Sequence, residues 1–242
     1  AKLRGFVNPA DIFISIYKDD PNTFWLDRST NLDEPVSIIG SAGSILDLGN
    51  NPLEAINNHL AKIKSSLESF PEAEIPFSFR PGLVGYLGYE MLAGAREIAS
   101  SEIAQLMIVD RAMVFDHRDR HMYFIGLFET EAEFHNWHRA ALLRLTLVGG
   151  ELASYTQRTK EPKIISTKLR HSPENYLKLI VKCKKYIASG DVYQLCLTNQ
   201  ILIDHDADPL KTFLTLRQQN PAPYGSYLKT GNREIVSSSP EQ

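Results

Sequence analysis

The sequence predicts an α+β fold in which two layers of antiparallel β-sheet pack together, with helices on the outside. Short runs rich in aromatic and β-branched residues, such as 24–27 and 36–40, are separated by polar turns and indicate strands. Residues 110–128 contain two such runs on either side of four polar residues, which indicates a hairpin. Longer segments that begin at Pro52 and Thr130 place apolar residues at helical spacing.

Residue types at the segment ends predict where the helices begin and stop. The predicted helices cover about 52–70, the segment from Thr130 to Gly149, the segment from Ser172 to Gly190, and 208–219. Thr130 and Glu133 form a capping-box pattern, and Ser172 precedes a proline suited to the first helical turn. The polar segment 151–170 contains Pro162, so we expect it to be irregular and to act as a linker.

The last third of the chain predicts further strands. Residues 193–203 alternate apolar and polar positions, with Asn199 as the one polar interruption of the apolar face. Asn199 is interpreted either as lying near a bend or as part of a polar site. Residues 224–229 and 233–238 predict a hairpin. The domain organisation expected from these patterns is an N-terminal subdomain 1–150, a linker 151–171 and a C-terminal part 172–242.

Composition narrows the class of protein. The 242 residues are 43% hydrophobic with a net charge of −3, and no basic block is interleaved with aromatic residues, which argues against nucleic-acid binding. The apolar runs are interrupted or far shorter than the ~20 residues of a membrane span. No signal segment follows the N-terminus, so we expect a cytoplasmic protein with no membrane contact. Cys183 and Cys196 are interpreted as two buried free thiols.

Residue patterns in the sequence reveal no complete set of catalytic residues. No Gly-x-Ser-x-Gly nucleophile motif occurs. His135 and His138, near Glu131, could ligate a metal, but two solvated histidines are the preferred interpretation. His117 and His121 flank a turn and are expected at the surface. The chemistry therefore comes from residues outside this sequence, or the function is binding.

Three phrases in the last third carry a family resemblance. They are Gly-Asp-Val-Tyr-Gln-Leu-Cys-Leu-Thr-Asn-Gln at 190–200, Asn-Pro-Ala-Pro-Tyr-Gly at 220–225 and Ser-Ser-Pro-Glu at 238–241. Together with 24–27, 80–90 and 109–117, they resemble the chorismate-binding enzymes, which include anthranilate, aminodeoxychorismate, isochorismate and salicylate synthases. The resemblance covers nearly the whole chain, and it implies that 1–150 is a family-specific subdomain and that 172–242 is the start of the chorismate-binding catalytic core. It implies the anthranilate synthase component I-like fold and a C-terminally incomplete catalytic unit, whose strands 193–203 and 233–238 leave unpaired edges.

Three details favour one branch of the family. Tyr-Leu-Gly-Tyr-Glu at 86–90, the segment 110–117 and Cys-Leu-Thr-Asn-Gln at 196–200 resemble component I of aminodeoxychorismate synthase. That enzyme converts chorismate plus ammonia to 4-amino-4-deoxychorismate for folate synthesis. The alternatives are component I of anthranilate synthase and a non-catalytic fragment that binds an amino acid or docks a partner. This sequence alone is expected to be inactive.

The resemblance also implies a cofactor and a partner. Mg²⁺ would assist loss of the ring hydroxyl of chorismate, and a glutamine amidotransferase subunit or fused domain would supply ammonia. The family's catalytic and magnesium-binding residues follow the Ser-Pro-Glu phrase. No catalytic or metal-binding residue is therefore assigned within this sequence.

One site does carry over from the family, an aromatic amino-acid pocket between the first strand motif and the Asn-Pro-x-Pro turn. Its residues would be Asp27, Arg28, Ser29, Pro223, Tyr224 and Gly225. Arg28 stands where the family has a serine, and a guanidinium cannot accept a hydrogen bond from a ligand's ammonium group. We therefore expect a weak or altered pocket.

Overall fold

The computed structural model describes residues 1–67, 75–88, 104–158 and 162–239. The chain forms two compact units, of which the first contains Ala1–Arg158 and Pro209–Gln242 and the second contains Thr159–Asp208. The expected domains 1–150, 151–171 and 172–242 concern function and stay a prediction. Four residues of the quoted motifs, Tyr89, Glu90, Pro240 and Glu241, lie outside the described residues, as does the helix end expected near residue 70.

Antiparallel strands form the framework of both units. The strands are Lys2–Arg4 (β1), Asn22–Asp27 (β2), Val36–Ser41 (β3), Gly82–Leu87 (β4), Ala104–Val109 (β5), Arg111–Asp116 (β6), His121–Gly126 (β7), Ile164–Leu169 (β8), Ile201–His205 (β9), Tyr224–Thr230 (β10) and Arg233–Ser239 (β11). In the first unit, seven of them form one sheet in the order β1-β7-β6-β3-β2-β10-β11, and β4 pairs with β5. In the second unit, β8 pairs with β9. Both predicted hairpins are confirmed.

Side chains alternate between the two faces of the seven-stranded sheet. One row of paired residues, Tyr227, Trp25, Ile39, Met113 and Phe124, is buried beneath helices. The neighbouring row, Leu26, Ile38, Val114 and Tyr123, faces a separate core that includes Val84 and Met107 of the β4–β5 pair. The predicted two layers of antiparallel sheet with outer helices are therefore confirmed, since the central strands β2, β3 and β6 bury residues on both of their faces.

The four predicted helices begin where the sequence signals place them, and the described part of the chain contains two further helices that were not predicted. Their bounds are Pro9–Ile12 (α1, continued by a π-helical stretch Phe13–Tyr17), Pro52–Leu67 (α2), Glu131–Leu145 (α3), Glu151–Arg158 (α4), Pro173–Ala188 (α5) and Pro209–Gln219 (α6). Thr130 Oγ1 accepts a hydrogen bond from the Glu133 amide at 3.3 Å, and Ser172 Oγ accepts one from Asn175 at 3.2 Å. Both predicted N-caps are confirmed. Within the described residues, no helix has the length and apolar character needed to cross a membrane.

The segment 151–170 contains two regular elements, so the expectation that it is irregular is wrong. Its first part forms α4, in which Leu152 and Tyr155 pack against the core of the first unit. The Leu152 amide also donates to Asp11 Oδ1 at 2.7 Å. The later part forms β8, whose partner strand lies more than 30 residues further along the chain. Tertiary contacts thus order a segment that has no strong local signal.

The predicted strand 193–203 is wrong for most of its length. Strand β9 begins only at Ile201, where pairing with β8 begins. A period-two pattern makes a strand only when a neighbouring strand accepts its hydrogen bonds. The side chain of Asn199 is exposed and accepts from the His171 amide while donating to the His171 carbonyl, both at 3.1 Å. Asn199 therefore links two backbone segments.

The second unit leaves many apolar side chains exposed. Leu177 and Val181, one turn apart on α5, are 63% and 54% exposed, and every residue of β8 and β9 is exposed. Cys183 is half-buried and Cys196 is exposed, and neither forms a disulfide. The two thiols are free as predicted, but the expectation that both are buried is wrong.

Candidate functional site

Strands β2 and β10 bring the two halves of the predicted pocket together. Asp27 at the end of β2 pairs with Gly225 near the start of β10. Tyr224 and Pro223 precede that pair and are half-buried. The predicted contact between the first strand motif and the Asn-Pro-x-Pro turn is thus a direct strand pairing.

The carboxylate of Asp27 is the most fully bonded acidic group of this region. Asp27 is only 3% exposed. Its Oδ1 accepts from Ser37 Oγ at 2.5 Å, and its Oδ2 accepts from Ser29 Oγ at 3.0 Å and from Arg217 Nε at 2.7 Å. Three donors, one of them charged, offset the loss of hydration on burial.

Arg217 reaches Asp27 from the last turn of α6. Phe213, one turn earlier on this helix, packs edge to face against Trp25 with the ring centroids 5.2 Å apart. The Arg217 guanidinium lies 5.1 Å from the centroid of the same indole. The Trp25 ring therefore helps fix the helix and orient the cation. Sequence reasoning missed Arg217, whose one local signal is a basic residue at a helix C-terminus.

His117 extends this network through Ser37, which bonds the carboxylate oxygen that Arg217 does not. Its Nε2 lies 2.8 Å from Ser37 Oγ. Because an ionised carboxylate only accepts, the Ser37 hydroxyl donates to Asp27, and His117 must donate its Nε2–H to Ser37. Burial lowers the pKa of His117, and the positive charge of Arg217 lowers it further, whereas the charge of Asp27 opposes this shift.

The surface positions expected for His117 and His121 are therefore wrong. His117 is half-buried and packs edge to face against Phe6 at 5.2 Å between ring centroids. His121 is also half-buried, and its Nδ1 is buried with no hydrogen-bond partner among the described residues. Both residues flank a hairpin turn, as predicted, but neighbouring segments cover them.

The partners of Arg28 differ from those of its neighbour Asp27. Its guanidinium pairs with the Glu34 carboxylate, which also accepts from Ser78 Oγ at 2.8 Å. The same guanidinium lies 5.3 Å from the centroid of the Tyr224 ring. Arg28 therefore links the loop after β2 to the aromatic residue that opens β10, while Asp27 is bonded by Arg217 and two serines.

The free space beside Asp27 is small. The cavity measures ≈ 10 Å³, about the space that one water molecule needs. Its polar walls come from Asp27, Arg217, Asn220, Ser237 and Ser238, with Gly225 at one side. Ser29, Pro223 and Tyr224 do not line it. In this conformation Arg217 bonds the carboxylate that the ammonium group of a ligand would need.

The other histidine pair has no metal-site geometry. His135 Nε2 lies 3.2 Å from Glu131 Oε1 at an exposed position. His138 is half-buried, packs on Phe124 at 4.8 Å between centroids and stacks on Phe134. The solvated interpretation holds for His135 and is wrong for His138. Among the described residues, no group of three histidine, cysteine or acidic side chains could hold a metal ion.

The fold matches a solved structure. The crystal structure of anthranilate synthase component I from Streptococcus pneumoniae TIGR4 superposes with a TM-score of 0.59 and 16% sequence identity. The match covers 92% of this chain and 49% of that one. At this identity the likeness establishes that the two chains share a fold. The antiparallel layers and the β2–β10 pairing define this fold class.

The sequence defines the family. The profile of the chorismate binding enzymes matches residues 21–242, and the chain belongs to this family. It is 33% identical to aminodeoxychorismate synthase of Streptomyces griseus over 95% of this chain and 35% of the relative. It is 29% identical to anthranilate synthase component 1 of Bacillus subtilis over 80% of this chain and 41% of the relative. The chain spans about a third of the length of the aminodeoxychorismate synthases from Streptomyces.

Proposed function

We propose that this chain is part of an aminodeoxychorismate synthase that converts chorismate and ammonia to 4-amino-4-deoxychorismate and water. Identities of 33% and 28% to two such synthases, each over 95% of the chain, carry the proposal. Component 1 of the anthranilate synthases from Acetivibrio thermocellus and Bacillus subtilis matches at 25% and 29% identity over 82% and 80% of the chain. Anthranilate synthase is the second candidate.

The proposed reaction replaces one substituent on the chorismate ring. A C–N bond forms to ammonia and the C–O bond to the allylic hydroxyl breaks, so that the hydroxyl leaves as water once protonated. Mg²⁺ is part of the proposal, but the described residues offer no ligand set for it. No step of the reaction is therefore assigned to the ion.

We propose a glutamine amidotransferase partner, separate or fused, as the source of ammonia. Ammonia is mostly protonated at neutral pH and is then no nucleophile, so it must be released close to the ring and sheltered from water. One relative from Bacillus subtilis is named component 1 of aminodeoxychorismate synthase, a name that marks it as one part of an enzyme. The cytoplasmic location expected from the sequence stays a prediction.

We retain the amino-acid pocket as a proposal, with weak ligand binding. Arg217 and two serines already bond Asp27, and ≈ 10 Å³ of space remains beside it. We expect tryptophan to bind weakly or not at all between 27–29 and 223–225. Tight calorimetric binding of tryptophan that Asp27→Asn abolishes would contradict this expectation.

The test of the reaction is a product assay. The gene product that carries this sequence is incubated with chorismate, Mg²⁺ and either glutamine or an ammonium salt, and products are separated by liquid chromatography. We expect 4-amino-4-deoxychorismate, with glutamine effective only when the amidotransferase is present and with activity lost on adding a chelator. Anthranilate as the product would establish the second candidate. No product with either nitrogen source would favour a non-catalytic binding or docking module.

A further inference from the structure

A larger cavity lies in the first unit, on the helix-covered face of the seven-stranded sheet. Its volume is ≈ 360 Å³, within the range of small-molecule sites, and it shares no residue with the space beside Asp27. The residues that line it come from the π-helical stretch after α1, from the segments around β3 and β6, and from α3. The proposed amino-acid pocket does not use it, and no step of the proposed reaction is assigned to its residues.

Part of the cavity wall is apolar. Ile16, Met113 and Ala141 are buried in the adjoining core, and Trp137 on α3 presents a large aromatic side chain. This wall suits a ligand with an apolar body, because burying apolar surface is the main favourable contribution to such binding.

Charged groups of both signs also line the cavity. Asp110 and Arg111 bond each other through two contacts, Nε to Oδ1 at 2.9 Å and Nη2 to Oδ2 at 2.6 Å. Asp20 and Arg144 differ, because neither side chain has an ion pair or hydrogen bond within the described residues. The cavity therefore holds one carboxylate and one guanidinium that are free to bind a ligand.

A phenol lines the same cavity as these two charges. Tyr17 is buried in the cavity wall, and burial raises the pKa of its hydroxyl well above the ordinary value, so the group stays protonated. Asp20 and Arg144 line the same cavity as Tyr17, and their charges act on its hydroxyl with opposite sign. Tyr17 can thus donate a hydrogen bond in the same region in which the two free charges lie.

We propose that this cavity binds a small α-amino acid with an apolar side chain. Arg144 would bind the ligand's carboxylate, with the Tyr17 hydroxyl as a second donor, and Asp20 would accept from its ammonium group. The side chain would pack against Met113 and Trp137. A ligand with a single charge would satisfy one of the two protein charges and leave the other unpaired or repelled, so the pair favours an amphoteric ligand.

Calorimetry on the chain tests the ligand class. The probes are L-leucine, L-phenylalanine and L-tryptophan, together with 3-phenylpropionate and phenethylamine, which each lack one of the two charges. We expect at least one amino acid to bind, and the singly charged analogues to bind at least about tenfold more weakly, as expected for loss of a charged hydrogen bond. No binding of any amino acid at millimolar concentration would overturn the proposal.

Variants locate the site. Arg144→Gln and Asp20→Asn should each weaken binding at least about tenfold. Arg139→Gln, at an exposed position on the same helix, and Asp19→Asn, next to Asp20, are the matched controls and should leave binding unchanged. Circular dichroism checks that each variant is folded.

A steric variant provides an independent check that does not alter charge. Ala140 lines the cavity from an exposed position on α3, so Ala140→Phe fills the space without replacing a core residue. It should abolish binding. Unchanged affinity in Arg144→Gln, Asp20→Asn and Ala140→Phe would place the ligand elsewhere, for example beside Asp27, and would overturn the proposal.

Discussion

Arg217 donates from Nε to Oδ2 of Asp27 across 2.7 Å, and this bond joins residues 190 positions apart in the sequence. Asp27 ends β2 near the start of the chain, and Arg217 lies in the last turn of α6. The bond and the pairing of β2 with β10 tie residues 209–239 to the N-terminal sheet. The first unit is therefore built from two distant parts of the chain.

Replacing Asp27 tests this link. Asp27→Asn leaves the Arg217 guanidinium without its carboxylate, and we expect the free energy of unfolding to fall by about 2 kcal/mol. This is less than for a fully buried ion pair, because the Arg217 side chain is 25% exposed. Urea unfolding measures the change. Asp33→Asn, at an exposed position with no ion pair among the described residues, should change stability by less than about 0.5 kcal/mol. Equal effects from the two variants would show that the ion pair contributes little.

The lowered pKa of His117 predicts how stability depends on pH. The unfolded imidazole takes up a proton near its ordinary pKa of 6.5, whereas the folded one does so only at lower pH. Between these two values the unfolded state binds more protons, so the free energy of unfolding falls as the pH falls through this window. His117→Gln should flatten this dependence in urea unfolding series below pH 6.5. An unaltered slope would show that His117 is not responsible, and His135→Gln at an exposed position is the control.

Gly85 permits the close approach of β4 to β5. A Cβ atom at this position would lie 1.9 Å from the Gln105 carbonyl oxygen, which belongs to the backbone and cannot move without shifting the strand. Gly85→Ala should therefore lower the free energy of unfolding by about 3 kcal/mol. Gly82→Ala on the same strand meets nothing within 4 Å and should change it by less than about 0.5 kcal/mol. Thermal unfolding of both variants measures the difference, and similar melting temperatures would contradict the steric explanation.

Exposed apolar side chains on α5 predict self-association of the isolated chain. Leu177 and Val181 together present a patch that is more favourable to bury than to hydrate. The double variant Leu177→Gln with Val181→Gln should lower the apparent association constant by about tenfold or more. Lys178→Gln with Lys184→Gln alters exposed positions of the same helix without removing apolar surface and should not lower it. Light scattering over a concentration series measures both, and a stable monomer for the unmodified chain would contradict this prediction.

Local patterns in the sequence predicted most of the fold. Helix caps at Thr130 and Ser172, the hairpins of β6–β7 and β10–β11, and the short strand at 24–27 each depend on neighbouring residues, and each is confirmed. The strand expected at 193–200 failed because alternation does not supply a partner strand. The helix α4 was missed because distant core residues stabilise it.

The candidate site was likewise predicted only in part from the sequence. Family motifs and strand patterns indicated that Asp27 and Gly225 belong to one site, since both lie in segments with a strong local signal. The bonds from Arg217 and from His117 through Ser37, and the small space left beside Asp27, depend on distances between segments far apart in sequence. The amino-acid sequence determines which side chains the protein contains. Only the packing of sheet and helices decides which of these groups meet, because burial and hydrogen bonding act through space.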